Sequence, residues 1–152
     1  MITTRDRLYL RAIFLLNGSE KPVGPLELSR SMDVSKEGAY QEMKRIEKLG
    51  FGKYLVQKGI IINKKALEII EKDVKRHHLL EKFLQKSLDL SHDEACKESS
   101  NIDQLISEKL MEKIGKKIGP LSSEDCICVI KNPLHPDDLR KCHWIKKTIK
   151  GV

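Results

Sequence analysis

The sequence predicts a mainly α fold: a helix-turn-helix with a small hairpin wing, followed by longer helices that pack on one another. Three observations carry this. Between Gly24 and Gly59 two helical patterns meet at a tight turn and run into two short strand-like runs. Beyond Asn63, apolar residues recur at three- and four-residue steps as far as Lys117, with Ser91 and Ser107 placed as caps. The chain is 39% hydrophobic but only 5% aromatic, so its cores are built largely from Ile and Leu.

In order, Thr4 is placed to cap a first helix to about Leu16. Leu8, Ala12, Leu15 and Leu16 mark its buried side, with Leu10, Ile13 and Phe14 widening the apolar face. Asn17-Gly18-Ser19 ends it, a cluster that favours turns. Leu26, Leu28, Met32 and Val34 supply apolar residues around the next turn. Ser35 then caps a helix striped by Ala39, Met43, Ile46 and Leu49, and Gly50 supplies a left-handed terminus. Lys53–Gln57 and Ile60–Asn63 flank Lys58-Gly59, which suits a two-residue hairpin turn. Asn63 caps a long helix from Lys64 to about Leu88, striped by Leu67, Ile70, Val74, Leu80, Phe83, Leu84 and Leu88. Ser91 caps a helix from about His92 to Ile106, and Ser107 one from Glu108 to Lys117.

These elements suggest three segments: a winged helix-turn-helix domain at 1–64, a helical dimerisation and metal-sensing domain at 65–120, and a Cys-containing tail at 121–152. The charge is unevenly spread over them. Residues 1–65 hold 13 Lys/Arg against 7 Asp/Glu, whereas residues 66–120 hold 10 against 11. A basic first third carrying a helix-turn-helix is the footprint expected for double-stranded DNA. The helix after Ser35 is the expected reading helix, entering a major groove. Its polar face offers Ser35, Lys36, Glu37, Tyr40, Gln41 and Lys44, with Lys58 on the wing. The competing reading is a solvated helical hairpin serving as a protein-interaction module, because Glu37 and Glu42 would repel phosphates. The later helices have apolar faces that the small first domain cannot cover, which points to a homodimer reading a palindromic operator.

The order of elements resembles the diphtheria toxin repressor and manganese transport regulator family of metal-responsive repressors. LYLRAIFLL, VSKEGAYQEMKRIEKLGF, KRHHLLEKFL and SHDEACKESSNIDQLISEKL carry the resemblance, over about residues 4–118. It implies a homodimer in which a divalent metal favours the DNA-competent arrangement. At the family's primary metal site this chain has Leu8, Ser100, Asp103 and Gln104, of which only Asp103 is a good ligand. The ancillary site is better preserved, as His77, Glu81 and Cys96. A helix-surface His77–Glu81 pair is the plain alternative, and His78 is expected to be a solvated neighbour.

The tail departs from the family. Cys126, Cys128 and Cys142 lie within seventeen residues, with His135 and His143 nearby, and Cys96 is the fourth cysteine. Clustered thiols suit zinc, another divalent ion or an iron–sulfur cluster. Cys96, Cys126, Cys128 and Cys142 are therefore expected to hold an iron–sulfur cluster, with zinc or another divalent metal ion as the alternative. His77, Glu81, Asp103 and His143 are further candidate ligands. A reversible disulfide and inert buried thiols are the remaining readings. A centre bridging Cys96 and the tail would set DNA affinity in response to iron or redox state. No phosphate loop or nucleophile–base arrangement argues for an enzyme, and the absence of a signal peptide or long apolar run leads to the expectation of a cytoplasmic protein without membrane contact.

Overall fold

A computed structural model of the chain describes residues 1–121 and 139–150. Two compact units emerge, Met1–Ile70 with Ile145–Val152, and Glu71–Trp144. The architecture is mainly α, a winged helix-turn-helix followed by a helical domain.

The first unit contains α1 (Thr4–Leu15), α2 (Pro25–Met32), α3 (Lys36–Lys48), β1 (Gly52–Leu55), β2 (Gly59–Ile62) and the start of α4 (Lys64–Leu88). Thr3 rather than Thr4 caps α1: its hydroxyl accepts from the Asp6 N–H, and the Asp6 carboxylate accepts from the Thr3 N–H at 2.6 Å. The reciprocal pair satisfies two N–H groups that the helix leaves without internal partners, and so fixes the start one residue earlier. Tyr9, Leu10, Ala12, Ile13 and Phe14 are buried while Leu8 is 38% exposed, so the buried face is turned from the expected one. Pro25 opens α2, and Asp33 ends it in the left-handed region at φ 57°. Ser35 caps α3 by accepting from Gly38 N–H at 3.0 Å, and Ala39, Met43 and Ile46 are fully buried.

The wing turns differently from expectation. Strands β1 and β2 pair antiparallel with Leu55 opposite Gly59, leaving three residues in the loop. Lys58 N–H donates to the Leu55 carbonyl, and Gln57 takes the left-handed conformation at φ 61°. Gly59 is needed elsewhere: a Cβ there would lie 2.0 Å from the Val23 carbonyl oxygen, because Val23 and Ile60 exchange backbone hydrogen bonds. Ile149 is also buried in this unit, and Lys150 N–H donates to the Ser31 carbonyl at 2.9 Å.

The second unit holds the rest of α4 with α5 (His92–Ile102) and α6 (Glu108–Ile118). Its core comprises Leu80, Leu84, Ala95, Met111 and Ile114, against which Leu79, Phe83, Leu90, Ile106 and Ile118 pack. Asn63 caps α4 and Ser91 caps α5 with a reciprocal Glu94 bond, as expected. Helix α5 stops at Ile102, before the expected Ile106, where the chain turns and Leu105 N–H donates to the Ile102 carbonyl. Leu88 is 61% exposed and does not join the stripe. In the described part of the tail, Leu139 and Arg140 are helical, the chain turns at Lys141–Cys142, and a further helical turn, α7 (His143–Lys146), follows. Among the described residues, no helix is long and apolar enough to cross a membrane.

Candidate functional site

Helix α3 presents the expected reading face. Ser35, Lys36, Glu37 and Gln41 are exposed, as is Lys58 on the wing. Gln41 Nε2 donates to Glu37 Oε1 at 2.6 Å, which draws that carboxylate into a local pair. Tyr40 meets Tyr54 edge-on at 5.4 Å, and Lys44 stands 5.2 Å over the Tyr54 ring while pairing with Glu47. The Lys44 ammonium, followed by the Tyr54 N–H, holds the Glu47 carboxyl below its ordinary range. Glu42 is not on this face. It is 6% exposed and meets Arg5 at 3.1 Å, so one of the two carboxylates expected to repel phosphates faces inward. Burial and the neighbouring Asp6 raise its pKa.

A second site forms in the helical unit. The apolar stripe of α4 runs through Ile70, Val74, Leu80 and Leu84, and the same buried band admits His77, His78 and Glu81, which are 0%, 3% and 1% exposed. Side chains four apart on a helix share a face; His77 Nε2 lies 3.2 Å from Glu81 Oε2. Cys96 on α5 brings its Sγ to 3.5 Å from the same nitrogen. On the far side of the ring, His77 Nδ1 lies 3.3 Å from Asp103 Oδ2. Asp103 thus occupies the place of an orienting carboxylate rather than that of a direct ligand. An Nδ1–H donated to Asp103 would leave the Nε2 lone pair toward Glu81 and Cys96, the arrangement that commonly supports metal-binding imidazoles.

The other members were not read from the sequence. His78 is buried rather than solvated, with Nδ1 3.8 Å from Glu81 Oε2 and Nε2 3.4 Å from Cys142 Sγ. His92, half exposed, sets its Nε2 3.0 Å from Glu81 Oε1. Trp144 stacks on His77 at 4.4 Å and 11°. The available sequence sign was local: His77 and Glu81 fall in slots that the stripe reserves for buried residues, and His78 adjoins them. Nothing local announces Trp144, which lies 67 positions from His77. Ser100 is exposed and donates to the Cys96 carbonyl, and His143 is exposed on α7. Cys126 and Cys128 lie outside the described residues. The two described thiols each meet an imidazole.

Burial alone would raise the Glu81 carboxyl, but the adjacent imidazoles of His77 and His78 outweigh it and hold the group at about 2. Its Oε2 accepts no aligned hydrogen bond although the side chain is 2% exposed. A buried carboxylate oxygen left unbonded is costly, and here it sits among groups that share its need for a cation. Of the described residues, His77, His78 and Glu81 bring ligand atoms within 4.8 Å of one another. Bond lengths to a tetrahedral zinc ion imply N···O and N···S edges of about 3.4 and 3.6 Å. The observed 3.2 and 3.5 Å fit them, so the donors suit a borderline-soft divalent ion.

Residues 1–60 match the family model described as iron dependent repressor, N-terminal DNA binding domain. Residues 63–130 match iron dependent repressor, metal binding and dimerisation domain. An uncharacterised HTH-type transcriptional regulator of Methanocaldococcus jannaschii is 27% identical over 94 residues, 59% of this chain and 75% of that one. Among solved structures, a hypothetical protein from Sulfolobus solfataricus aligns with a TM-score of 0.70 at 22% identity, over 78% of this chain and 90% of that one. ScaR with bound zinc gives 0.63 at 19% identity over 74% of this chain, and T. acidophilum IdeR 0.56 at 16% over 79%. The chain spans about half of those two, 52% and 55% respectively. At such identities the structural likeness speaks for the fold alone, while the two family models together account for most of the sequence. The chain belongs to the iron-dependent repressor family of metal-dependent transcriptional regulators.

Proposed function

We propose that this chain is a homodimeric transcriptional repressor whose affinity for a palindromic operator is set by a divalent metal of the zinc class. The ligands are His77 Nε2, Glu81 Oε2 and Cys96 Sγ. The observation that carries the reading is the place of His77 Nε2 inside a buried band, 3.2 Å from Glu81 Oε2 and 3.5 Å from Cys96 Sγ. When bound, the ion supplies the positive charge that lets a buried carboxylate and a thiolate lie together. His77 and Glu81 belong to α4 and Cys96 to α5, so residues holding one ion tie those helices to each other. Asp103 keeps the Nδ1 proton on His77, and Cys96 gives up its thiol proton as the ion is taken. DNA is read by α3 through Lys36, Gln41 and Lys44, with Ser35, Glu37 and Tyr40 shaping that face and Lys58 meeting the backbone from the wing. The exposure of this face and the basic first third support that assignment.

The test is fluorescence anisotropy with genomic fragments, with zinc and with chelator, at two salt concentrations. Zinc is expected to change affinity at least tenfold, and binding is expected to weaken steeply with salt. His77→Gln and Cys96→Ser should remove the zinc response with the helical content unchanged. A zinc response that survives both substitutions would overturn the ligand assignment.

The iron–sulfur reading is favoured by one observation, that Cys96 and Cys142 lie against the adjacent rings His77 and His78. It requires Cys126 and Cys128 to complete the cluster. Iron, acid-labile sulfide and zinc measured in anaerobically purified protein separate the two: stoichiometric sulfide supports the cluster, zinc without sulfide the mixed-donor site.

A further inference from the structure

We propose that His78 is the fourth ligand of this centre and that the C-terminal residues Cys142 and Trp144 are its positioning residues, so that metal binding and docking of the tail stabilise each other. This rests on the metal reading above.

The argument begins with the two imidazoles. They are adjacent on α4 and lie edge to face, with centroids 5.2 Å apart and planes at 77°. Each has one nitrogen toward Glu81 Oε2, Nε2 of His77 at 3.2 Å and Nδ1 of His78 at 3.8 Å. Each has its other nitrogen within hydrogen-bond distance of a group from a distant element, the carboxylate oxygen Asp103 Oδ2 at 3.3 Å and the thiol Cys142 Sγ, which can accept, at 3.4 Å. A neutral imidazole carries one N–H and one lone pair. With an ion at Glu81 taking the near lone pair, an acceptor on the far nitrogen keeps the proton on that side. Asp103 does this for His77, and Cys142 does it for His78. The resulting donors are His77 Nε2, His78 Nδ1 and Glu81 Oε2, whose ligand atoms lie within 4.8 Å of one another. Cys96 Sγ, 3.5 Å from His77 Nε2, would close on the ion as the fourth donor of a set of the kind zinc takes. The orphaned Glu81 Oε2 is the group common to both rings.

Cys142 has no exposure and Trp144 is 8% exposed. Trp144 stacks on the ring of His77, fixing its plane. Both positioning contacts exist only while this part of the tail is docked on the helical unit. Whatever favours correct placement of both rings then favours the docked tail, and an ion bound by those rings favours docking in turn.

The experiment uses the full chain with zinc and cobalt(II) as probes. His78→Gln is expected to lower zinc affinity by about 100-fold. Cys142→Ala should lower it by about 10- to 100-fold, the range typical of an outer-shell partner, and Cys142→Ser, which restores an acceptor, should recover most of it. Cobalt(II) should show thiolate charge-transfer absorption that Cys96→Ser removes and Cys142→Ala leaves undiminished. In the unmodified chain, zinc should change the emission of Trp144, the only tryptophan, and slow trypsin cleavage after Lys141. Wild-type zinc affinity in His78→Gln overturns the ligand assignment. Halved charge transfer in Cys142→Ala overturns the positioning role, since Cys142 would then itself be a ligand. Unchanged cleavage with zinc overturns the linkage without requiring any variant to fold. Zinc binding that survives His77→Gln and Cys96→Ser would instead sink the underlying metal reading.

Discussion

Asp6 shows how much one residue can join. It closes the cap of α1 and takes Arg45 of α3 at 2.6 Å, with its side chain wholly buried. Burial pushes its carboxyl up, but the bonds from Arg45 and Thr3 outweigh that and leave its pKa well below the ordinary carboxylate range. A depressed carboxyl contributes stability that is fully present above the unfolded pKa of about 3.9 and is lost as pH falls toward the folded value. Asp6→Asn should therefore cost about 1–2 kcal/mol at pH 7, a figure discounted because Arg45 is half exposed. The difference from the unmodified chain should shrink below about pH 4, read by urea unfolding at a series of pH values. The buried partner Glu42 has the opposite sign: its raised pKa favours the protonated form, so its ionisation opposes folding as pH rises. Glu42→Gln, which keeps a hydrogen-bond donor without the charge, is expected to preserve or raise stability at pH 8 in the same assay.

At the level of elements, the wing is held by one glycine. Gly59 sits at φ 114° and passes within reach of the Val23 carbonyl, which lets β2 exchange hydrogen bonds with Val23 as well as with β1. Gly59→Ala brings both backbone strain and a 2.0 Å clash with that oxygen. It should destabilise by about 2 kcal/mol or more and weaken DNA binding by displacing Lys58, while Gly50→Ala, which meets nothing within 4 Å, should cost less. Denaturant midpoints of the two variants check the order. Helix α4 makes the complementary point about patterning. Its stripe was visible in Ile70, Val74, Leu80 and Leu84, and buried polar residues, His77, His78 and Glu81 among them, are interspersed along it. Periodicity located the face, but the histidines on it look like ordinary surface residues until α5 covers them.

For the whole molecule, the family dimerises through its C-terminal domain. In the helical unit Leu105, in the turn after α5, is 82% exposed, Leu88 at the end of α4 61% and Leu110 on α6 48%. Exposed apolar side chains that lie together mark surfaces that a partner covers, and Leu105 and Leu110 flank the start of α6. Leu105→Glu combined with Leu110→Glu should shift the protein from dimer to monomer in sedimentation velocity with little change in helical content. Operator affinity should fall by at least tenfold, because a monomer engages one half-site. A dimer that persists would place the interface elsewhere.

The amino-acid sequence by itself determined the elements, their order and the polar face of α3, because caps, turns and apolar spacing act over a few residues. It also pointed to His77, Glu81 and Cys96 through resemblance to the family. Tertiary structure decided what those residues face. Asp103 stands behind the His77 ring rather than beside its lone pair, Glu42 turns inward to Arg5, and His78 meets a cysteine 64 positions away. Such pairings depend on how α4, α5 and the tail pack, and no short-range pattern encodes the distance between a ring nitrogen and a sulfur so far along the chain.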